Sequence, residues 1–389
     1  METANRIKNL PPYLFAEIDH MIAEAKKEGV DVISFGIGDP DQPTPEPIVK
    51  ELQEAAANPD THSYPSYEGL AEFRQEVADW YQKYYQIELD SQQEIVSLIG
   101  SKEGIAHLPF CYLNRGDKAL VPDPGYPVYN NSVLLAGGKP AIVPLKEENN
   151  FLPDLEQISE ETARQAKIFF VNYPNNPTGA VADRQFYQKL IAFARKYDII
   201  IAHDGAYSEI GLGDYQPLSF MEIKGAKEVG IEFNSLSKPF NMTGWRIGWA
   251  VGRSDVIEAL GRLKTNIDSG IFEAVQYAGI KALQLGRKPI EKINQLYKKR
   301  RNILVDGLKN LGWKVKKNKA SFYLWIKVPA ADMSAREFSR QVFQDTGVFM
   351  TPGIGYGKQG EGFVRLALTV SEERIKEALD RLAENNFSY

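Results

Sequence analysis

Lys238 stands in the run Ser235-Leu236-Ser237-Lys238-Pro239, and Arg246 follows eight residues later. A lysine amine in that setting suits a Schiff base to a phosphorylated aldehyde. Ser235, Ser237 and the planar guanidinium of Arg246 offer the hydroxyls and forked charge that a phosphate dianion needs beside a reactive nitrogen. A surface lysine beside a turn is the plain alternative, in a chain with 46 Lys and Arg residues.

Other segments offer complementary chemistry. Asp204 closes the apolar run Ile199-Ile200-Ile201-Ala202-His203 and precedes Gly205-Ala206-Tyr207. A carboxylate at the end of a buried strand needs a partner. A protonated pyridine nitrogen would serve and would keep that ring an electron sink; capping a following helix is the common alternative. The run Asn172-Tyr173-Pro174-Asn175-Asn176-Pro177-Thr178-Gly179 fixes a rigid turn. Asn176 either presents its amide to an oxygen on the same ring, with the Tyr207 hydroxyl beside it, or only builds the turn.

Gly100-Ser101-Lys102-Glu103-Gly104 opens a helix after Ile95–Ile99. It reads as an anion cradle of backbone N–H groups or as a plain glycine-started helix. Tyr126, in the strand-end turn Asp123-Pro124-Gly125-Tyr126-Pro127, either stacks on a flat heteroaromatic ring or packs. Arg365, flanked by Val364 and Leu366 on an expected strand, fits bidentate capture of an α-carboxylate if buried. On the outer face of an edge strand it would be solvated.

The chain that must position these groups has 389 residues, 43% hydrophobic and 25% charged, as in ordinary globular proteins. That length predicts two lobes. A net charge of −5 argues against a nucleic-acid partner. The single Cys111 excludes an intramolecular disulfide framework and fits a reducing compartment. His20, His62, His107 and His203 show no metal-ligand spacing, so no metal is expected. Met1 to Lys26 lacks an unbroken apolar stretch, which predicts neither a signal peptide nor a membrane span and gives the cytoplasm as the expected address.

Expected strands are Lys118–Pro122, Lys167–Asn172, Asp198–His203, Gly230–Asn234 and Arg246–Val251, alternating with helices at Ser101–Leu113, Asp183–Tyr197, Ser254–Leu263 and Phe272–Leu285. The pattern predicts an α/β fold with a mostly parallel sheet covered on both faces. Ligands of such sheets bind outside the carboxyl ends of the strands, where Asn176, Asp204 and Lys238 fall. From about Pro289 a helix at Ile290–Leu311 leads to strands near Trp313–Val315 and at Phe322–Val328. A helix at Ala335–Asp345, a strand at Phe363–Thr369 and a helix at Ser371–Asn385 follow. The expected division is a large domain at 40–288 and a smaller α+β domain made of 1–39 with 289–389.

In their order along the chain, Gly38-Asp39-Pro40-Asp41, Tyr64, Gly100-Ser101-Lys102, Tyr126, Asn176, Asp204, Tyr207, Ser235, Lys238, Arg246 and Arg365 resemble the class I and II aminotransferases, pyridoxal-phosphate enzymes of fold type I. The resemblance implies that pyridoxal 5′-phosphate is the cofactor and that Lys238 carries it and moves the substrate proton. It implies that Asp204 pairs with the ring nitrogen, Asn176 and Tyr207 contact the ring oxygen, and Tyr126 stacks on the ring. Ser101, Lys102, Ser235, Ser237 and Arg246 would bind the phosphate, and Arg365, Asn176 and Gly38 the substrate. Tyr64 would reach the phosphate of a neighbouring subunit, so a homodimer with shared sites is expected. Gly205 departs from the alanine expected after Asp204.

Within the family, Arg6–Phe15, Tyr64–Gly69, Gly100–Gly104 and Lys264–Gly270 are similar to members that transfer an amino group from LL-2,6-diaminopimelate to 2-oxoglutarate in lysine and cell-wall synthesis. Relatives with the same stretches use aspartate, alanine or a broad range of donors. Glu68 and Lys102 are the candidates for reading the far end of the substrate, with solvated surface the competing role for Glu68. Regulators built on this fold carry a DNA-binding region ahead of it, and here about 30 residues precede Gly36. A lyase or decarboxylase with the same cofactor apparatus is the other enzyme reading.

Overall fold

Runs rich in Ile, Val and Phe become strands because branched and aromatic side chains suit a pleated surface buried on both faces. The computed structural model describes residues 1–11, 14–330 and 332–389. Its strands, in chain order, are β1 (Ile33–Ser34), β2 (Ile95–Leu98), β3 (Lys118–Asp123), β4 (Lys139–Pro144), β5 (Ala166–Asn172) and β6 (Ile200–Asp204). There follow β7 (Gly230–Ser235), β8 (Gly248–Gly252), β9 (Tyr323–Lys327), β10 (Val348–Phe349), β11 (Thr351–Pro352) and β12 (Phe363–Ala367).

Seven strands form one sheet in the order β2-β8-β7-β6-β5-β3-β4. Neighbours from β4 to β7 pair in parallel, and β8 runs against both β7 and β2. Both faces are apolar, with a period of two. Along β5, Phe169 and Val171 enter one core while Ile168 and Phe170 enter the other. Each such side chain contributes about 1.5–3 kcal/mol by leaving water. The fold is thus the mostly parallel, doubly covered α/β sheet expected. β4, not anticipated, carries Pro140 and Pro144, which an edge strand tolerates and which mask it in sequence.

A second, antiparallel sheet has the order β11-β12-β9, and β1 pairs in parallel with β10. Its core takes in Ile33, Phe35, Leu304, Phe322, Val364 and Leu382. The helix Lys288–Asn310 buries Ile290, Ile293, Tyr297, Leu304 and Leu308 at helical spacing. Its Arg300 holds Asp41 by two bonds of 2.7 Å each. Helix Ala335–Thr346 starts on a Ser334/Glu337 capping box. The strand expected near Trp313–Val315 is not formed. Trp313 and Val315 are buried and alternate with exposed Lys314 and Lys316, which mimics a strand, yet the Trp313 indole donates to the Phe387 carbonyl at 2.8 Å and no backbone ladder forms. No helix among the described residues is long and apolar enough to cross a membrane.

Asn172, Asp204 and Ser235 are the last residues of the adjacent strands β5, β6 and β7, so three side chains emerge together at one edge of the sheet.

Candidate active site

Beyond these strand ends lies a cavity of about 270 Å³. Gly38, Ser101, Lys102, Tyr126, Asn176, Asp204, Tyr207, Ser235, Ser237, Lys238 and Arg246 all line it. Residues spread over more than 200 positions of the chain are thereby brought to one space.

At one end the groups suit a phosphate. Helix Ser101–Tyr112 begins after Gly100, whose φ is +74°, and its N-terminal end, the positive end of the helix dipole, faces the cavity through Ser101 and Lys102. The Ser235 hydroxyl bonds that of Ser237 at 2.9 Å. Arg246 is fixed by bonds to the carbonyls of Thr243 at 2.7 Å and Ile99 at 3.3 Å. The space is kept open by glycine: a Cβ on Gly100 would lie 2.3 Å from Arg246 Nη2, and one on Gly248 would lie 2.9 Å from the Ser101 nitrogen.

At the centre, Lys238 Nζ donates to the Gly38 carbonyl at 3.0 Å. Burial, with help from the Arg246 and Arg365 charges and against the pull of Asp39 and Asp204, brings its ammonium down to about 8. Such an amine is a far better nucleophile near neutrality than an ordinary lysine. Asp204 is buried; its carboxylate accepts from the Tyr129 hydroxyl at 2.7 Å and from the Ala206 N–H at 3.1 Å. No helix follows for it to cap. Burial raises its carboxyl above the usual range despite these bonds. A fixed cation in the cavity would answer that cost.

At the other end Arg365 is fully buried on the central strand β12, not on an exposed edge. Nη1 donates to Asn176 Oδ1 at 2.9 Å and Nη2 to the Gly36 carbonyl at 2.5 Å. Its guanidinium lies 4.1 Å from the Tyr323 ring centre, and Tyr323, rather than Arg365, lines the cavity. The Tyr323 hydroxyl bonds that of Tyr207 at 3.0 Å. Asn176 thus spends its amide oxygen on Arg365 and leaves its NH₂ for the cavity.

The model of the family "Aminotransferase class I and II" matches residues 30–382. The chain belongs to the class I and II aminotransferases. It is 70% identical, over the full length of both chains, to an LL-diaminopimelate aminotransferase of Halothermothrix orenii. It is 57% identical to one of Moorella thermoacetica, over 98% of each chain. Among solved structures, an aminotransferase from Staphylococcus aureus superposes with a TM-score of 0.92 at 32% identity, covering 100% of both chains.

Two residues that line the cavity, Tyr129 and Tyr323, were not anticipated from the sequence. Tyr129 lies three residues after Tyr126, which caps helix Pro127–Leu135, so helical spacing offered a signal for it. Tyr323 comes from a different sheet, 116 positions from Tyr207, and nothing local marks it. Tyr64 does not line this chain's own cavity; its side chain is 89% exposed. Glu68 is an exposed neighbour of Arg74 at 3.9 Å. At Gly205 a Cβ would meet Asn234 Oδ1 and Ser208 Oγ at 3.0 Å, so the alanine expected there would sit tightly. Pro12 and Tyr13, in the Arg6–Phe15 stretch, lie outside the described residues.

Proposed function

We propose that this aminotransferase works with pyridoxal 5′-phosphate, transferring an amino group from LL-2,6-diaminopimelate to 2-oxoglutarate in the lysine and cell-wall route. The supporting observation is the cavity that gathers Lys238, Asp204, Asn176 and the phosphate-suited end in one space. The donor assignment rests on the 70% full-length identity to a relative of that name. We further read it as a cytoplasmic homodimer with shared sites, and residues 1–39 with 289–389 as the small domain beside 40–288.

When bound, the cofactor supplies a ring that withdraws electrons from the substrate α-carbon and a carbon that receives its amino group. The donor set fits it. Ser101, Lys102, Ser235, Ser237 and Arg246 would hold its phosphate, Tyr126 its ring face, Asn176 and Tyr207 its ring oxygen. Asp204 would meet its ring nitrogen, a cation that relieves the buried carboxylate. Gly38, from the cavity wall, and Arg365, once Tyr323 in front of it gives way, would bind and orient the substrate α-carboxylate. Lys238 Nζ, with its lowered affinity for protons, takes the proton from the substrate α-carbon.

Purified protein loaded with pyridoxal phosphate and 2-oxoglutarate, offered LL-diaminopimelate, aspartate, alanine and aromatic amino acids in parallel, tests this by the glutamate formed. Diaminopimelate is expected among the best donors. Preference for aspartate or alanine would overturn the donor, and ammonia or carbon dioxide released without an acceptor would overturn the transfer itself.

A further inference from the structure

Behind the phosphate-suited end, outside the cavity, Lys264 is wholly buried at the end of helix Ser254–Lys264. Lysine is almost never buried so completely unless it is paired. Its Nζ donates to Glu103 Oε1 at 3.1 Å and to Asp268 Oδ1 at 2.7 Å. The other Glu103 oxygen accepts the backbone N–H of Ile99. The carbonyl of the same residue accepts from Arg246 Nη2 at 3.3 Å. Ile99 is therefore gripped at both its polar backbone groups, one residue before the glycine that opens the helix.

The far end of the relay is tied as well. Asp268 accepts the Gly270 N–H at 2.7 Å, and a Cβ on Gly270 would lie 2.8 Å from the Ser66 carbonyl. His107, the other titratable group here, stands with Nδ1 at 3.6 Å from Glu103, and burial lowers its affinity for protons. A buried ion cluster often stabilises a fold no better than apolar side chains of the same shape. What it fixes, and apolar side chains do not, is direction: a carboxylate aimed at one N–H sets where one peptide sits.

We propose that Glu103 and Lys264 are positioning residues for the cofactor phosphate. Through Ile99 they set the place of the Arg246 guanidinium and of the first N–H groups of helix Ser101–Tyr112. They thereby set the preference of the site for a phosphorylated aldehyde over its unphosphorylated form. The inference rests on the pyridoxal-phosphate reading given above.

Glu103→Gln tests it with little risk to folding, because Lys264 keeps Asp268 as its partner while the charge on the Ile99 N–H is removed. Cofactor-free wild type and variant are titrated with pyridoxal phosphate and with pyridoxal, following absorbance, and their melting midpoints are compared. The variant's Kd for pyridoxal phosphate is expected to rise about tenfold or more, the scale of one charge-assisted hydrogen bond, with that for pyridoxal changed less than about twofold. Equal loss of both ligands would make the cluster merely structural and overturn the proposal, as would no loss of either. If the variant melts earlier, the ratio of the two affinities still decides, since partial unfolding weakens both alike. A wild-type chain that binds pyridoxal phosphate no better than pyridoxal would overturn the functional reading itself.

Discussion

At the scale of the residue, the decisive property is the proton affinity of Lys238. The ordinary lysine value of 10.5 is brought down to about 8, chiefly by burial. Between those two values the unfolded chain binds more protons than the folded one, so the cost of burying the amine is relieved and stability rises as pH climbs through that window. The chemical consequence is measurable. In stopped-flow mixing with pyridoxal phosphate, the attachment rate should climb with pH and level off just above pH 8. A rate still climbing steeply toward pH 10 would mean an ordinary exposed lysine. That Lys238, Asp204 and Asn176 share one cavity was legible in sequence because each lies at or just past the end of an apolar strand. Tyr323 and Lys264 were not, because their meaning comes from contacts with residues far away in sequence.

At the scale of the element, the site depends on how closely one helix approaches the sheet. Helix Ser101–Tyr112 rests on β7 at Gly104, where a Cβ would lie 2.6 Å from Leu98 Cδ1 and 2.7 Å from the Phe233 ring. Gly104→Ala overpacks this contact and is expected to cost roughly 1–3 kcal/mol, read as a lower denaturation midpoint at unchanged slope. Ser101 rides on the same helix, so cofactor affinity should fall with it; an unchanged midpoint would show that the helix can shift freely. Periodicity found this helix and most strands. It failed at β4, hidden by its prolines, and at Trp313–Val315, where burial alternates without a partner strand.

At the scale of the molecule, the two sheets and their cores face each other across the cavity: Tyr207 from the end of the large sheet meets Tyr323 from the small one. Tyr64, Tyr67, Ile267 and Phe272 are exposed, and the segments that carry them touch where Gly270 meets Ser66. Exposed apolar side chains grouped in this way suit a subunit interface. Sedimentation should give twice the chain mass. Mixing the Lys238→Ala and Tyr64→Ala variants, each of low activity, should restore turnover, because hybrid dimers with shared sites contain one intact site. A monomer, or no recovery on mixing, would contradict shared sites. The expectation of two lobes came from chain length and the change of pattern near Pro289, and that of a shared site only from family resemblance, since one chain's sequence holds no record of its neighbour.

The central claim, that Lys238 is the residue that carries the cofactor, has a direct test. The purified chain is loaded with pyridoxal phosphate, the link is fixed by borohydride reduction, and its peptides are weighed. A single modified peptide, the one containing Lys238, is expected, and no modification in Lys238→Ala. A label on another lysine, or none on the wild-type chain, would contradict it.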